Sequence, residues 1–383
     1  MLTFTRSSLV FVTIASSLNC AQAEFSLGDA GSLAFGLEAG ILHTDNLTLS
    51  SDGESDTLMT LTPTLNFKSD AGAASIKAMV GLESKKYSDL DSNDAENIQS
   101  NVRIAFPDVR DGENYSLVFE GGYNELTTAR SSLQSVIQTE DLDLALDGKY
   151  YFDDYTTLRF AIEHADSDTE TENFADVQTL TIPLAIILEI DESFNAGVGY
   201  RYRTTDMDGL TSGVADSTDQ AFYLCIENEP SAVWAYAIKV GLQRRGFEDD
   251  SDFEDEHGLY ASWVTSWQFS AMTELQAELA NEYGTTLANQ SSETAGLSLQ
   301  VNHEFDERLS ASLGASYEEI EYTQENGSVR DDERFATFLN VDYNLLGENW
   351  YLRAKVAYED NSSDFDRANY TALSAGISSV FVY

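Results

Sequence analysis

Long apolar runs are missing from this chain. Past its leader the longest is Ile182 to Leu188, far short of the roughly 20 apolar residues that a membrane-spanning helix needs. A helical membrane protein is therefore excluded. Cysteine is almost absent. Of Cys20 and Cys225, the first falls in the leader, so no internal disulfide framework can form. Four prolines in 383 residues leave the backbone few forced breaks. Positive charge is scarce as well: 21 Lys and Arg stand against 66 Asp and Glu, a net charge of −45. A surface this anionic repels phosphate backbones and excludes nucleic acid as a partner. Histidine is limited to His43, His164, His257 and His303.

Acidity with modest hydrophobicity can signal disorder, but 19 Tyr, 20 Phe and 4 Trp are far too many for a disordered chain. The N-terminus reads MLTFTRSSLVFVTIASSLNCAQAEF. Arg6 supplies a positive start, Leu9 to Leu18 a short apolar core, and Ala21-Gln22-Ala23 a small-residue cleavage site. This is the pattern of a secretory signal peptide. It predicts residues 1–23 as a cleaved leader and 24–383 as one exported domain. A lipoprotein reading through Cys20 fits poorly, because Ser17-Leu18-Asn19 makes a weak lipobox.

From Ser32 onward the chain alternates. Leu33, Phe35, Leu37, Ala39 and Ile41 share one parity in the first segment; Leu142, Leu144 and Leu146 oppose Asp143, Asp147 and Lys149 in the sixth. Leu275, Ala277 and Leu279 oppose Glu274, Glu278 and Glu282, and Leu352, Ala354 and Val356 oppose Arg353 and Lys355. A period of two is the signature of strands with one apolar and one polar face. About 18 such segments can be marked, within a range of about 16 to 18, each about 10 to 14 residues long, as transmembrane strands require. Gln220 to Glu227 is the weakest of them. Pro63 and Pro183 lie inside segments and predict local bends or bulges. Connections alternate too. Asp166 to Asp176, Thr205 to Thr218, Gly246 to Gly258 and Thr323 to Asp332 read as long acidic loops, whereas Asp153-Asp154, Asp191 to Ser193, Ser270 to Met272 and Asp306 to Arg308 read as tight turns.

A soluble sandwich would alternate in the same way. The export signal, the rhythm of connections, the strand-end aromatics and the C-terminal aromatic favour an all-β, antiparallel up-and-down barrel in a Gram-negative outer membrane. Phe67, Phe106, Phe152, Phe194, Phe269, Phe305, Trp350 and Phe381 sit beside the short turns, and Tyr123, Tyr202, Tyr283 and Tyr317 toward the long loops. Two interfacial aromatic girdles are expected from this placement. The last segment ends on Phe381 and Tyr383, which resembles the signal that such barrels present to their assembly machinery. Outer-membrane lipid and lipopolysaccharide then surround the apolar face.

The polar face becomes a lumen. Its candidate lining residues are Lys77, Arg103, Asp143, Asp147, Lys149, Arg159, Arg201, Arg203, Lys239, Glu274, Glu278, Glu282, Arg353 and Lys355. Such groups can form an electrostatic constriction, or simply pair across neighbouring strands of a wet wall. The surplus acid is concentrated in stretches such as FEDDSDFEDEH, Phe247 to His257. In composition that stretch resembles a calcium loop, but it lacks the ordered ligand spacing, and a solvated acidic face is the plainer account. No metal or cofactor is expected. Catalysis on a barrel rim would need a His paired with a carboxylate or Ser. Only His43 and His257 are placed for that, in no recognisable motif, so the chain is not read as an enzyme.

The opening segment LEAGILHTDNLTLSSDGESDTLMTLTPTLNFKSDAG, with its Asp45-Asn46 pair and the L-x-P-x-L strand Leu61 to Leu65, resembles the putative beta-barrel porin-2 family of outer-membrane proteins. The resemblance implies a pore-forming barrel. It also implies a role in exopolysaccharide passage and polysaccharide export components as partners, because members often accompany exopolysaccharide assembly. A pore for small solutes or polymer and a non-conducting surface scaffold acting through its acidic loops both remain open at this stage.

Overall fold

In the computed structural model the residues described are 25–70, 74–106, 114–171, 174–191, 193–208, 216–228, 233–247, 253–324, 327–345 and 349–382. The leader 1–23, Tyr383 and much of the acidic stretch 247–257 lie outside them.

A single antiparallel sheet closes on itself. After a two-residue strand β1 (Phe25–Ser26) the first nine wall strands are β2 (Ser32–Thr44), β3 (Asp56–Ser69), β4 (Ser75–Tyr87), β5 (Ala95–Ala105), β6 (Tyr115–Arg130), β7 (Ser135–Tyr151), β8 (Thr156–Thr169), β9 (Asp176–Asp191) and β10 (Phe194–Asp208). The second nine are β11 (Ser217–Glu227), β12 (Trp234–Phe247), β13 (Glu256–Ser270), β14 (Thr273–Thr286), β15 (Gln290–Glu304), β16 (Leu309–Gln324), β17 (Val329–Asn344), β18 (Trp350–Ser363) and β19 (Tyr370–Val382). Each wall strand pairs with its neighbours in sequence. Closure comes from β19 against β2, in register from Ser374↔Thr44 to Val382↔Gly36. The result is an 18-stranded up-and-down barrel, β2 through β19, whose closure leaves no unpaired edge. The segment expected to be weakest is β11, and it is paired along its whole length on both sides.

The alternating pattern fixes the faces. Apolar members of each strand point away from the ring: Leu242 is 73% exposed, and Met59, Val198, Phe222, Leu224 and Leu313 are likewise open. In water such a face would be untenable; it is the lipid-facing band. Polar residues of the opposite parity point inward.

Three expectations are corrected. The outer connections are shorter than the polar pattern predicts, because strands run past the apolar band: β8 continues to Thr169, β10 to Asp208, and β17 already begins at Val329. Ladder hydrogen bonds do not require apolar side chains, so sequence polarity ends before the strand does. Pro63 and Pro183 make no bulge. Pairing lapses beside each, between Leu61↔Ser84 and Thr64↔Gly81 and between Phe160↔Leu184 and Glu163↔Thr181, and resumes in the same register; only the missing amide is lost. Tyr283 does not join an outer girdle. It is 3% exposed, with the Arg245 guanidinium 5.3 Å from its ring centroid. Of the aromatics beside the other end, Phe106, Phe152, Phe269, Phe305, Trp350 and Phe381 are exposed, and Phe67 and Phe194 are half-buried.

Candidate functional site: the inner wall

Register places the inward charges into rows. Lys68 of β3 stands opposite Lys77 of β4, and Lys77 opposite Arg103 of β5. Three cations thus line up across three strands near the end of the barrel that carries both termini. Like charges directly opposite one another repel. The row is relieved by an ion pair from Arg103 to Glu120 of β6 and by access to water: the two side chains are 30% and 41% exposed. On β7, Asp143 and Asp147 face Ala165 and Ala161 of β8, and Lys149 faces Arg159. Asp147 is exposed although it points inward. Arg159 donates to Glu227 of β11, three strands away. On β18, Arg353 makes a two-pronged bond to Asp342, Nε to Oδ1 at 2.8 Å and Nη2 to Oδ2 at 3.1 Å, and Lys355 lies in register with Asn340 and Gly376.

The acidic row of β14 is also inward. Glu274 accepts from Ser266 Oγ at 2.5 Å, Glu282 from Arg201 Nη1 at 3.0 Å, and Glu278 lies between them, opposite Ser298.

One part of the inner wall is dry. Asp219 is 2% exposed and Arg245 fully buried. Arg245 donates through Nε to Asp219 Oδ1 at 2.7 Å and through Nη2 to Oδ2 at 3.0 Å, while Arg203 Nε reaches Oδ2 at 2.6 Å. Arg245 also bonds Ser291 Oγ at 3.0 Å, and Arg203 the Tyr283 carbonyl. Beside it runs a cross-strand row Gly199–Tyr223–Gly241–Tyr260. A side chain at Gly241 would overlap the Phe222 carbonyl and the Tyr223 backbone, and one at Gly199 the Tyr223 ring. The bare backbone lets the rings lie against the wall. Arg201 then sits 4.6 Å from the Tyr260 centroid and Lys239 5.5 Å from that of Tyr223, a cation–π arrangement. Parity put Arg201, Arg203 and Lys239 on the correct face, but not their engagement in this cluster.

Several inner-wall residues escaped sequence reasoning. Asp219 and Tyr223 belong to the faint β11. Arg330 and Asp332, joined by a two-pronged pair that Asn361 extends at 3.2 Å, fell in a stretch read as loop. The spacing Arg330, Asp332, Arg334 was itself a period-two signal.

Outside the strands, Asp94 is held below the usual carboxylate range by the Tyr87 amide and the Lys86 ammonium. Asp255 is held down by Arg244 and the Phe247 amide. Both outer carboxylates therefore stay ionised. Two of the four histidines bond neighbouring hydroxyls: His43 to Thr57 at 3.0 Å and His303 to Thr273 at 2.9 Å. Among the described residues no group of three metal-ligating side chains comes together. Phe381 pairs with Leu37 and Trp350 at the closing seam.

Comparison with known proteins agrees with this architecture. Among solved structures, the chain is similar to OpdK of Pseudomonas aeruginosa, crystallised with vanillate, at 8% identity and a TM-score of 0.51, covering 93% of this chain and 100% of that one. It is similar also to the FrpB iron transporter of Neisseria meningitidis (F5-1 variant), at 9% identity and a TM-score of 0.50, covering 88% of this chain and 64% of that one. These likenesses concern the fold alone. Among curated proteins none matches the sequence. Residues 232–381 match the family model described as Putative beta-barrel porin 2. The chain is a bacterial outer-membrane β-barrel, and over that stretch, well under half of its length, it is similar to the Putative beta-barrel porin 2 family.

Proposed function

We propose that the barrel is a water-filled pore for small hydrophilic solutes. One observation carries this reading: charged side chains on the inner face, Lys77, Arg103, Glu120 and Asp147, remain open to solvent inside a wall whose outer face is apolar. Accessible charge enclosed by a closed sheet requires water in the lumen. The charges are also distributed by sign. In the ring of 18, β4 and β5 stand nine positions from β13 and β14, so the cation row Lys68–Lys77–Arg103 faces the side that carries Glu274 and Glu278. Opposed walls of opposite sign suit small ions and dipolar solutes. The passage of an exopolysaccharide rests on the family resemblance and has no comparable support in the wall itself. Phe381 with Tyr383 is read as the assembly signal.

The test is single-channel recording from the refolded protein in planar bilayers. Discrete open steps with a defined reversal potential in a salt gradient are expected. A barrel shown to be folded by its gel shift yet silent across many insertions would overturn the pore and leave the surface scaffold.

A further inference from the structure

The hairpin β6–β7 does not stand upright at the mouth opposite the termini. Its strands are 16 and 17 residues long, and they end in a tight turn where the Leu133 and Gln134 amides both donate to the Arg130 carbonyl, at 3.0 and 2.7 Å. The inward face of its outer half is covered: Ile137 and Thr139 are buried. Lys85 of β4 donates to the Thr127 carbonyl at 3.0 Å, and Thr127 donates to Asn97 Oδ1 at 3.0 Å, so the hairpin is braced on the side from which it leans. Its tip lands on the other side of the ring. Arg334 Nη2 of β17 donates to Ser131 Oγ at 2.5 Å, although β17 lies seven strand positions from β6 in a ring of 18. Arg334 is itself held by Glu318 at 3.4 Å and Glu359 at 3.7 Å, and Tyr370 donates to Glu359. On this receiving wall Glu318, Tyr322, Arg330 and Tyr370 are buried, unlike the open charges near the other end. A second contact also spans the mouth: the Ala175 amide, between β8 and β9, donates to the Leu287 carbonyl, between β14 and β15, at 2.8 Å.

We propose that the β6–β7 hairpin is a strap across the mouth of the lumen, and that Arg334, by holding Ser131, sets the size of solute admitted. This inference rests on the pore reading and adds to it where selection by size occurs. Charge on the wall then governs which ions pass, and the strap governs how large a solute can enter. A strap fixed by one guanidinium between two carboxylates is rigid, because the fork of Arg bonds several acceptors at once.

The experiment replaces residues 128–137 by Asn-Gly, the two-residue turn that best joins paired strands, so that Thr127 and Gln138 remain opposite each other. Conductance and the exclusion limit for graded polyethylene glycols are measured beside wild type. The trimmed barrel is expected to show open steps about twofold larger or more, as a widened constriction should, and to admit longer glycols. A trimmed barrel that conducts with the wild-type step and exclusion limit overturns the strap. A folded trimmed barrel that never conducts overturns the pore reading itself. Should the trimmed chain fail to assemble, Arg334→Lys and Ser131→Ala, which leave the hairpin whole, decide the matter: larger or flickering steps support the strap, and wild-type steps overturn it.

Discussion

Asp219→Ala is expected to destabilise the barrel by about 3–5 kcal/mol, the usual cost of removing one partner from a buried ion cluster. Arg245 is fully buried and spends two of its donors on this carboxylate, and Arg203 spends one. Without Asp219 two guanidinium groups remain in a dry part of the wall with no carboxylate between them. Charge alone is not the issue, because the two-pronged geometry also fixes the spacing of β10, β11 and β12. Asp219→Asn should recover part of the loss, since the amide keeps one acceptor. The measurement is the urea midpoint of tryptophan fluorescence in detergent micelles, with the gel shift as an independent probe. A loss within about 0.5 kcal/mol, typical of an exposed surface position, would show that the cluster is not what holds this side of the barrel.

Adjacent residues on β14 should give opposite results for the same substitution. Leu279 is exposed on the outer face, near the middle of the strand, and an arginine there is expected to cost about 2–4 kcal/mol, as it does on the lipid face of a barrel midplane. Glu278 points into the lumen, and Glu278→Arg should leave stability nearly unchanged. Its effect should appear in the reversal potential instead, which is expected to move toward anion preference because the acidic side of the lumen loses one negative charge and gains a positive one. Both variants are assayed for refolding yield into bilayers and for ion selectivity. Equal destabilisation by the two would contradict the assigned faces. A normal fold for Glu278→Arg with an unaltered reversal potential would remove Glu278 from the conducting path.

Much of this was legible in the sequence because a strand reports its faces residue by residue. Leu142, Asp143 and Leu144 announce out, in, out, and the structure keeps that order through β7. The 18-strand count was readable for the same reason. Strand ends were not. Asp166 to Thr169 continues β8 beyond the apolar band, and nothing in the side chains marks where the ladder stops. Inward position was also readable, but inward environment was not. Arg103 and Arg245 have the same parity relative to their strands, yet one meets water and the other is sealed by Asp219, Ser291 and Tyr283. That difference arises from contacts between strands one to three places apart, β12 with β11, β14 and β15. The Arg334–Ser131 contact is the extreme case, since it joins residues 203 apart in sequence, and no periodicity carries such a signal.

The seam between β2 and β19 has a kinetic consequence. Seventeen of the ladders join strands adjacent in the chain, so each can form as a local hairpin while the chain is delivered. The eighteenth joins residues 36–44 to 374–382 and cannot form until the last strand arrives. Until then two apolar-faced edges stay open, with β2 waiting longest, and each is a template for pairing with another chain. Such long-range closure is intrinsically slow. Concentration during refolding should therefore decide between sealed monomers and edge-to-edge aggregates, and a chain shortened before Tyr370 should accumulate as the latter even though every hairpin it retains is intact.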